Sequence, residues 1–510
     1  MKQKGGVFMF NGFKNFIRKV GNFMGIIKEI NSKQNIKNVN IPDDYYEKIR
    51  IWAQLHKGKE KGIHEIECYS IGEGHHKREL ATLNMPKVIS QEMANLIFNE
   101  RCKIEVSSND AFKELIDEIF EREGFNGNFQ QKLEFMFAQG GLVLKPYLEN
   151  NKISISYSNA ETFLPISWDN KKITEAVFPS YIHKNGKNYI LLEWHVFNSE
   201  GRYTIKTELY ESKDGETVGK KVNLSIIYPN TIEEIIFSES VKEPLFSYFK
   251  PNTANNIDSN LPLGISLYGN SYDTLKTIDT IYDSFLHEFQ TGKKKIMIDS
   301  KAVRKQFRTD GKSETYFDLK DTAFQAFDLS NNSNETFFKE VEQKLRVTEH
   351  VEGLNASLDT LSLQIGFSPG TFSFSSSGGL KTATEVISEN SKTFRTKKGH
   401  ENSIEQSIQY FINVIAIFAD ELGIINKPET ITVNVAFDDS IIQDKTSIID
   451  DQIKKISAGI QSKAGAIEVI EGLGKIEALE KLLEIMKEQR AELPDLDDLR
   501  NMVALNGPIE

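Results

Sequence analysis

The sequence predicts an α+β fold that is mainly helical, with one block of antiparallel strands set into a long succession of helices. Three observations predict it. Apolar residues recur at three- and four-residue steps over most of the chain, the spacing that turns one face of a helix toward a core. Between residues 140 and about 249 the period changes to two, with turn signals at Asn150-Asn151, Asn185-Gly186, Glu200-Gly201 and Asp214-Gly215, the pattern of an antiparallel meander. A length of 510 residues at 39% hydrophobic content, with 33 glycines besides, is enough for several lobes and an ordinary core.

Residues 1–40 place Phe8, Phe10, Phe13, Phe16, Ile17 and Val20 among Lys14, Arg18 and Lys19. A continuous apolar stretch and a small-residue cleavage site are missing, so an amphipathic arm that docks on protein is expected rather than a targeting peptide. No apolar run reaches the ~18 residues that would span a bilayer, and a soluble chain without a membrane partner, cytosolic when made, is expected. From residue 43 to 107 the pattern is mostly helical. Tyr45, Tyr46, Ile49, Trp52 and Leu55 form a first apolar face ended at Gly58, and Val88, Ile89, Met93, Leu96 and Ile97 form a second. Glu73-Gly-His-His76 between them reads as a surface loop, because adjacent histidines cannot share a helix face and no acidic or Cys partner stands at ligand spacing. A helix pair follows over 111–119 and 129–139. In the meander, strands are indicated around Leu142–Leu144, Ile153–Tyr157, Ile190–Val196 and Tyr203–Thr207, with Trp168 and Trp194 as core or sheet-face residues.

Residues 252–262 form a polar, Asn-rich linker. Tyr268, Tyr272, Leu275, Ile278, Tyr282, Phe285 and Phe289 then give a helix of some six turns, whose other face, with Asp273, Lys276, Thr280, Asp283 and His287, is expected to be wet. Lys293, Lys294, Lys295, Lys301, Arg304, Lys305, Arg308 and Lys312 follow against only Asp299 and Asp310, as either a solvated loop or a contact surface for an acidic partner. A second long helix is expected from about Glu335, with Phe338, Val341, Leu345, Leu354, Leu358, Leu361 and Ile365 on its apolar side and a stop at Gly366. Residues 370–381 then form a Gly/Ser loop, and Thr382-Ala-Thr-Glu385 has the form of a capping box opening a polar helix. Between Ile387 and Ile404 its only large apolar side chain is Phe394, so that stretch is expected to line a wet space. Ile404, Ile408, Phe411, Ile412, Ile415 and Phe418 return the helix to a core. A short strand over 430–437, short helices punctuated by Gly459, Gly472 and Gly474, and an acidic tail complete the chain.

The formal net charge of −11 argues against a protein that coats nucleic acid by general electrostatics, which needs Lys and Arg in excess. Cys68 and Cys102, the two cysteines, are too far apart for a metal knuckle or redox pair and read as buried thiols. A phosphate loop is not present: the nearest stretch, Gly378-Gly-Leu-Lys-Thr382, lacks the first glycine and has Leu before its Lys. No G-x-S-x-G, H-E-x-x-H or Cys/His cluster occurs, and Asp438-Asp439 and Asp450-Asp451 read as solvated helix starts. No enzymatic activity, cofactor or metal is expected.

With that order of elements, the chain resembles the portal proteins of tailed double-stranded DNA bacteriophages, of the long-tailed type that infects Gram-positive bacteria. The resemblance rests on residues 83–101 (L-N-M-P-K-V-I-S-Q-E-M-A-N-L-I-F-N-E-R), on Pro262-Leu-Gly-Ile-Ser-Leu-Tyr268 with Ile278-Asp279 through Glu288-Phe289, on Leu345-Arg346 through Ile365-Gly366, and on Thr382-Ala-Thr-Glu-Val-Ile-Ser388. It covers about 41–486. The resemblance implies the portal fold of wing, stem, clip and crown: an N-terminal arm over 1–40, a wing over 41–261 that includes the β meander, a first stem helix over 262–291, a clip over 292–334, a second stem helix over 335–367, a tunnel loop over 368–381, a long helix returning to the wing over 382–439, a crown over 440–493 and an acidic tail over 494–510. It implies a ring, a dodecamer, at one capsid vertex of the virion, assembled in the host cytoplasm, with double-stranded DNA passing through its channel during packaging, retention and ejection. Thr371, Ser375, Ser376, Ser377, Gly378, Gly379 and Lys381 would be the tunnel-loop residues. Lys293, Lys294, Lys295, Lys301, Arg304, Lys305 and Arg308 would form the clip that meets the terminase large subunit and later the head-completion adaptor. Major capsid and scaffolding proteins are further implied partners. The alternative is another virion structural protein, a head-tail adaptor or minor head protein, which two long helices around an insertion fit poorly.

Overall fold

The computed structural model describes residues 41–70, 74–170, 172–213, 218–229, 231–292, 295–299, 305–307, 313–315, 324–327, 338–341, 344–374, 388–438, 445–471 and 474–491. The chain divides into two compact units, one of Met1–Ser377 with Lys392–Phe437, the other of Gly378–Ser391 with Asp438–Glu510. Its described residues combine helices with mainly antiparallel sheets.

The first unit opens with α1 (Asp43–His56), the short α2 (Lys61–His64), the hairpin of β1 (Glu65–Ser70) and β2 (Gly74–Glu79), α3 (Met85–Ile97), β3 (Lys103–Ser107), α4 (Asp110–Arg122) and α5 (Phe125–Gln139). Tyr45, Ile49 and Trp52 of α1, Ile89, Met93 and Ile97 of α3, Phe112 and Ile116 of α4, and Phe129, Leu133 and Phe137 of α5 are all buried in one core. Their three- and four-residue spacing is what brings them to one side of each helix. The Asn109 side chain accepts the Phe112 N–H and caps α4.

The period-two block forms two sheets. β4 (Leu142–Glu149) pairs with β5 (Lys152–Asn159), while β6 (Leu164–Asp169), β7 (Lys172–Lys184), β8 (Lys187–Phe197) and β9 (Tyr203–Ser212) form a meander in sequence order. β10 (Lys220–Val222) and β11 (Glu234–Ile236) both add to β9, and β12 (Ser247–Phe249) returns to β4. Asn150 and Asn151 (φ 50° and 60°) and Asn185-Gly186 (φ 51° and 74°) make the tight turns, since two successive left-handed residues match the twist of the strands they join. A buried polar chain ties the two sheets together. Lys145 on β4 pairs with Glu193 on β8, whose carboxylate lies 2.7 Å from His195 Nε2; Tyr203 hydroxyl lies 2.8 Å from His195 Nδ1 and accepts the Leu245 N–H. Burial holds His195 below its ordinary value, so a neutral ring accepts a hydrogen bond from the Tyr203 hydroxyl at Nδ1 and donates from Nε2 to Glu193.

Beyond the sheets come α6 (Tyr272–Thr291), β13 (Lys295–Asp299), β14 (Lys305–Phe307), β15 (Ser313–Thr315), β16 (Phe324–Phe327), β17 (Phe338–Val341), α7 (Val347–Ile365), α8 (Ser391–Glu421) and β18 (Thr432–Ala436). β13 lies between β16, which is parallel to it, and β17, which is antiparallel; β14 and β15 form a hairpin, and β18 pairs with β3. The described elements of the second unit include α9 (Lys445–Ser457), α10 (Lys463–Glu471) and α11 (Lys475–Ala491).

Several expectations are corrected. Glu65–Ser70 and Gly74–Glu79 pair as antiparallel strands rather than continuing a helical run, and His75 and His76 stand on β2, where alternating side chains satisfy a strand and not a loop. The meander is two sheets, with β6 and β7 between the expected strands. Residues 262–271 are not helical: Leu263, Ile265, Leu267 and Tyr268 are buried as irregular chain, and α6 starts at Tyr272. The polar linker is strapped down, with Asn255 Nδ2 donating to Tyr45 hydroxyl (3.1 Å) and Asn252 N–H to His400 Nδ1 (3.0 Å). Phe338 and Val341 lie on β17, so the second long helix begins only at Val347. Cys102 is buried but Cys68 is half-buried, and neither is bridged. The arm, the acidic tail and the capping box at Thr382 and Glu385 lie outside the described residues.

Candidate functional site

α6, α7, the start of the Gly/Ser loop and α8 form one constellation within the first unit. α6 is gripped from two sides by its own carboxylates. Asp279 accepts from Thr82 hydroxyl (2.9 Å) and Leu83 N–H (3.0 Å) and lies 3.1 Å from His64 Nε2. Four residues on, Asp283 takes a two-pronged pair from Arg78 (2.8 and 2.6 Å) and the Ala81 N–H (3.1 Å). The Arg78 hydrogen bonds hold the Asp283 carboxyl below the usual range. Asp283 is therefore buried, against the expectation that it faces water; the hairpin segment supplies the cation that a solvated face would not need. Asp273, Lys276, Thr280 and His287 are exposed, as expected. Nine residues beyond Asp279, and so on the other side of the helix, Glu288 accepts from Arg346 N–H (2.9 Å), Arg346 Nη2 (2.9 Å) and His350 Nε2 (2.6 Å) at the start of α7. These partners, Arg346 first, bring the Glu288 carboxyl down to about 2.

α7 buries Leu354, Leu358, Leu361 and Ile365 and ends where the sequence predicts, at Gly366, whose φ of +91° closes the helix. A Cβ there would come within 2.7 Å of Thr396 Cγ2, so both backbone angle and space call for glycine. The chain then turns back along α7. Ser368 N–H donates to Thr393 hydroxyl (2.8 Å), Gly370 N–H to Asp359 (2.7 Å) and Phe374 N–H to Asn355 (2.7 Å), while Thr371 hydroxyl donates to Ser368 carbonyl (2.6 Å). Asn355 and Asp359 are one helical turn apart and satisfy two loop N–H groups in succession. Phe367 is buried against Phe372, and Phe374 is exposed.

α8 overturns one expectation. Its polar first half does not simply line a wet space: Thr393, Lys397, His400 and Glu401 are buried and continue, at the same spacing, the row of Ile404, Ile408, Phe411, Ile412 and Ile415. Lys397 and Glu401 pair at 2.7 Å across one turn, and burial lowers His400 to about 4. The opposite row, Arg395, Lys398, Asn402, Gln406 and Gln409, is exposed. Only a row this narrow is wet.

Of the residues singled out for the tunnel loop, Thr371 is described, with its hydroxyl spent on the turn; Ser375, Ser376, Ser377, Gly378, Gly379 and Lys381 lie outside the described residues. Of the clip residues, Lys295 opens β13 and Lys305 opens β14; Lys293, Lys294, Lys301, Arg304 and Arg308 lie outside. Sequence reasoning gave Asp279 and Glu288 no role beyond the resemblance and missed Asn355, Asp359, Ser368 and Thr393. The i, i+4 spacing of Asn355 and Asp359 ahead of a Gly/Ser loop was the available signal. Among the described residues no group of three His, Cys, Asp or Glu side chains could hold a metal, and no helix is long and apolar enough to cross a membrane.

Residues 27–494 match the family described as phage portal protein, SPP1 Gp6-like, and the chain belongs to that family, whose members are structural. No curated protein sequence matches it. Similar solved structures include chains of the neck of an empty GTA particle computed with C6 symmetry and of a native one computed with C12 symmetry, each at 10% identity and TM-score 0.40, and of the virion of a native gene transfer agent particle at 11% and 0.41. Each covers 76% of this chain and 88% of its own.

Proposed function

We propose that the chain assembles into a dodecameric ring at one vertex of the capsid of a long-tailed phage of a Gram-positive host, and that double-stranded DNA passes through its channel during packaging, retention and ejection. The observation that carries this reading is the family match over residues 27–494. In this reading α6 and α7 are the stem, β13 to β17 the clip, residues 41–261 the wing and residues 440–493 the crown. The geometry supports the division of labour. Glu288 joins the two stem helices, and the loop leaves them from a root held by Asp359, Asn355 and Thr393. Closed symmetry multiplies each side chain, so one Lys381 per copy becomes a ring of positive charge in an acidic protein. Few cations in a polar bore let a duplex slide, because each neutralised phosphate adds affinity by releasing counterions.

Energy for packaging is assigned to a separate terminase motor, which docks on the clip before the head-completion adaptor does, while the wing meets capsid and scaffolding proteins. Deleting residues 375–379 tests the loop: assembly intact with DNA packaging or retention impaired is the expected result, and lost assembly makes the loop a structural element instead. Reversing charge at Lys294, Arg304 and Lys305 is expected to weaken motor or adaptor docking; unchanged binding removes the clip assignment.

A further inference from the structure

In the second unit, α9 and α11 both pack on α10. Ala466 of α10, Ala478 of α11 and Gln452 of α9 are buried, yet each outer helix keeps a second apolar row turned outward. On α11, Leu479, Leu483 and Met486 are 46%, 56% and 47% exposed; on α9, Ile449 and Ile453 are 38% and 52% exposed, with half-buried Ile456 next and Ile460 at 78% just past the helix. The spacing is the same in both rows: 479, 483, 486 and 449, 453, 456 each step by four and then three. That is the repeat of a helix-to-helix seam, in which each side chain enters a hole on the facing helix. Rows of this kind are not ordinary solvated surface.

The flanking charges choose the occupant. Exposed Glu480, Glu484 and Lys487 border the α11 row, and exposed Asp450 and Lys454 border the α9 row. Two antiparallel α11 rows face to face would set Glu484 against Glu484. An α11 row lying antiparallel on an α9 row sets Glu484 opposite Lys454 and Lys487 opposite Asp450. A closed ring of identical copies needs just such a pair of unlike surfaces on each copy, one for each neighbour.

We infer that α11 of one copy packs on α9 of the next, so that Leu479, Leu483 and Met486 fill the row of Ile449, Ile453 and Ile456 and the seam repeats around the ring. The inference rests on the ring proposed above and adds the surface that joins neighbours in this unit. Its test is the full chain carrying Ile453→Cys with Leu483→Cys, oxidised and run on a non-reducing gel beside electron micrographs of the same sample. A ladder of covalent oligomers, absent from the unsubstituted chain and from each single variant, is the expected result. Rings without a ladder overturn the seam while leaving the ring standing, and strong dimers from Leu483→Cys alone overturn the choice of α9 as partner. Absence of rings from the unsubstituted chain removes the ring and the seam together. Lys454→Glu is expected to raise the concentration needed for assembly about tenfold, with Glu484→Lys restoring it; assembly of Lys454→Glu at the original concentration overturns the charge pairing.

Discussion

The polar faces of α6 and α8 read alike in the sequence and are used in opposite ways. On α6 the buried carboxylates find partners far away in the chain: Asp279 meets His64, Thr82 and Leu83, Asp283 meets Arg78, and Glu288 meets Arg346 and His350. On α8 the buried pair Lys397 and Glu401 is made within one turn of the same helix. The first arrangement clamps separate segments together. The second lets a helix with few apolar residues enter a core, since neighbouring opposite charges reduce the cost of taking either one out of water. A polar helix face is therefore not evidence of a wet one unless the partners are also counted.

The sharpest way to break the comparison is to remove one half of the α8 pair. Glu401→Gln leaves a buried Lys397 without its carboxylate and is expected to cost about 3–5 kcal/mol in urea unfolding of the full chain, whereas Lys397→Met with Glu401→Leu is expected to fall within about 1 kcal/mol of the parent. Equal losses in both variants would mean the pair is not self-contained. Asp279→Ala on α6 strips hydrogen bonds from three separate groups and is expected to cost about 2–3 kcal/mol, with residues 64–83 becoming the first segment to exchange amide hydrogens. Gly366→Ala, which forces a side chain into a left-handed position against Thr396, is expected to cost about 1–2 kcal/mol at the α7–α8 junction.

The smallest effect concerns pH. The Glu288 carboxyl is depressed to about 2 from an ordinary 4.5, so its contribution is complete above about 4.5 and is lost as pH falls through about 2. Acid titration of stability is expected to show a shallower loss over that window in Glu288→Gln than in the parent; identical slopes would mean that Arg346 and His350 do not hold it.

Much of the fold is legible because spacing alone carries it. The apolar rows of α1, α3, α7 and α8, the turns at Asn150-Asn151 and Asn185-Gly186, and the stop at Gly366 all follow from periodicity and backbone preference. The pairing of β1 with β2 was not legible, since its cross-strand pairs, Glu67 with Lys77 and Ile66 with Arg78, are mostly polar and show no alternation of apolar residues. The resemblance extends the first stem helix back to residue 262, and Tyr268 falls at helical spacing with Tyr272 and Leu275; its burial comes instead from contacts with distant chain, its hydroxyl donating to Trp52 carbonyl. The loop root escaped for the same reason: Ser368 and Thr393 are unremarkable until the turn at Gly366 brings them together.

The central claim is that this chain builds a closed ring around a channel. Negative-stain images of the purified full-length protein test it most directly. Closed rings with a central hole are predicted, and isolated monomers or open filaments under all conditions would contradict it.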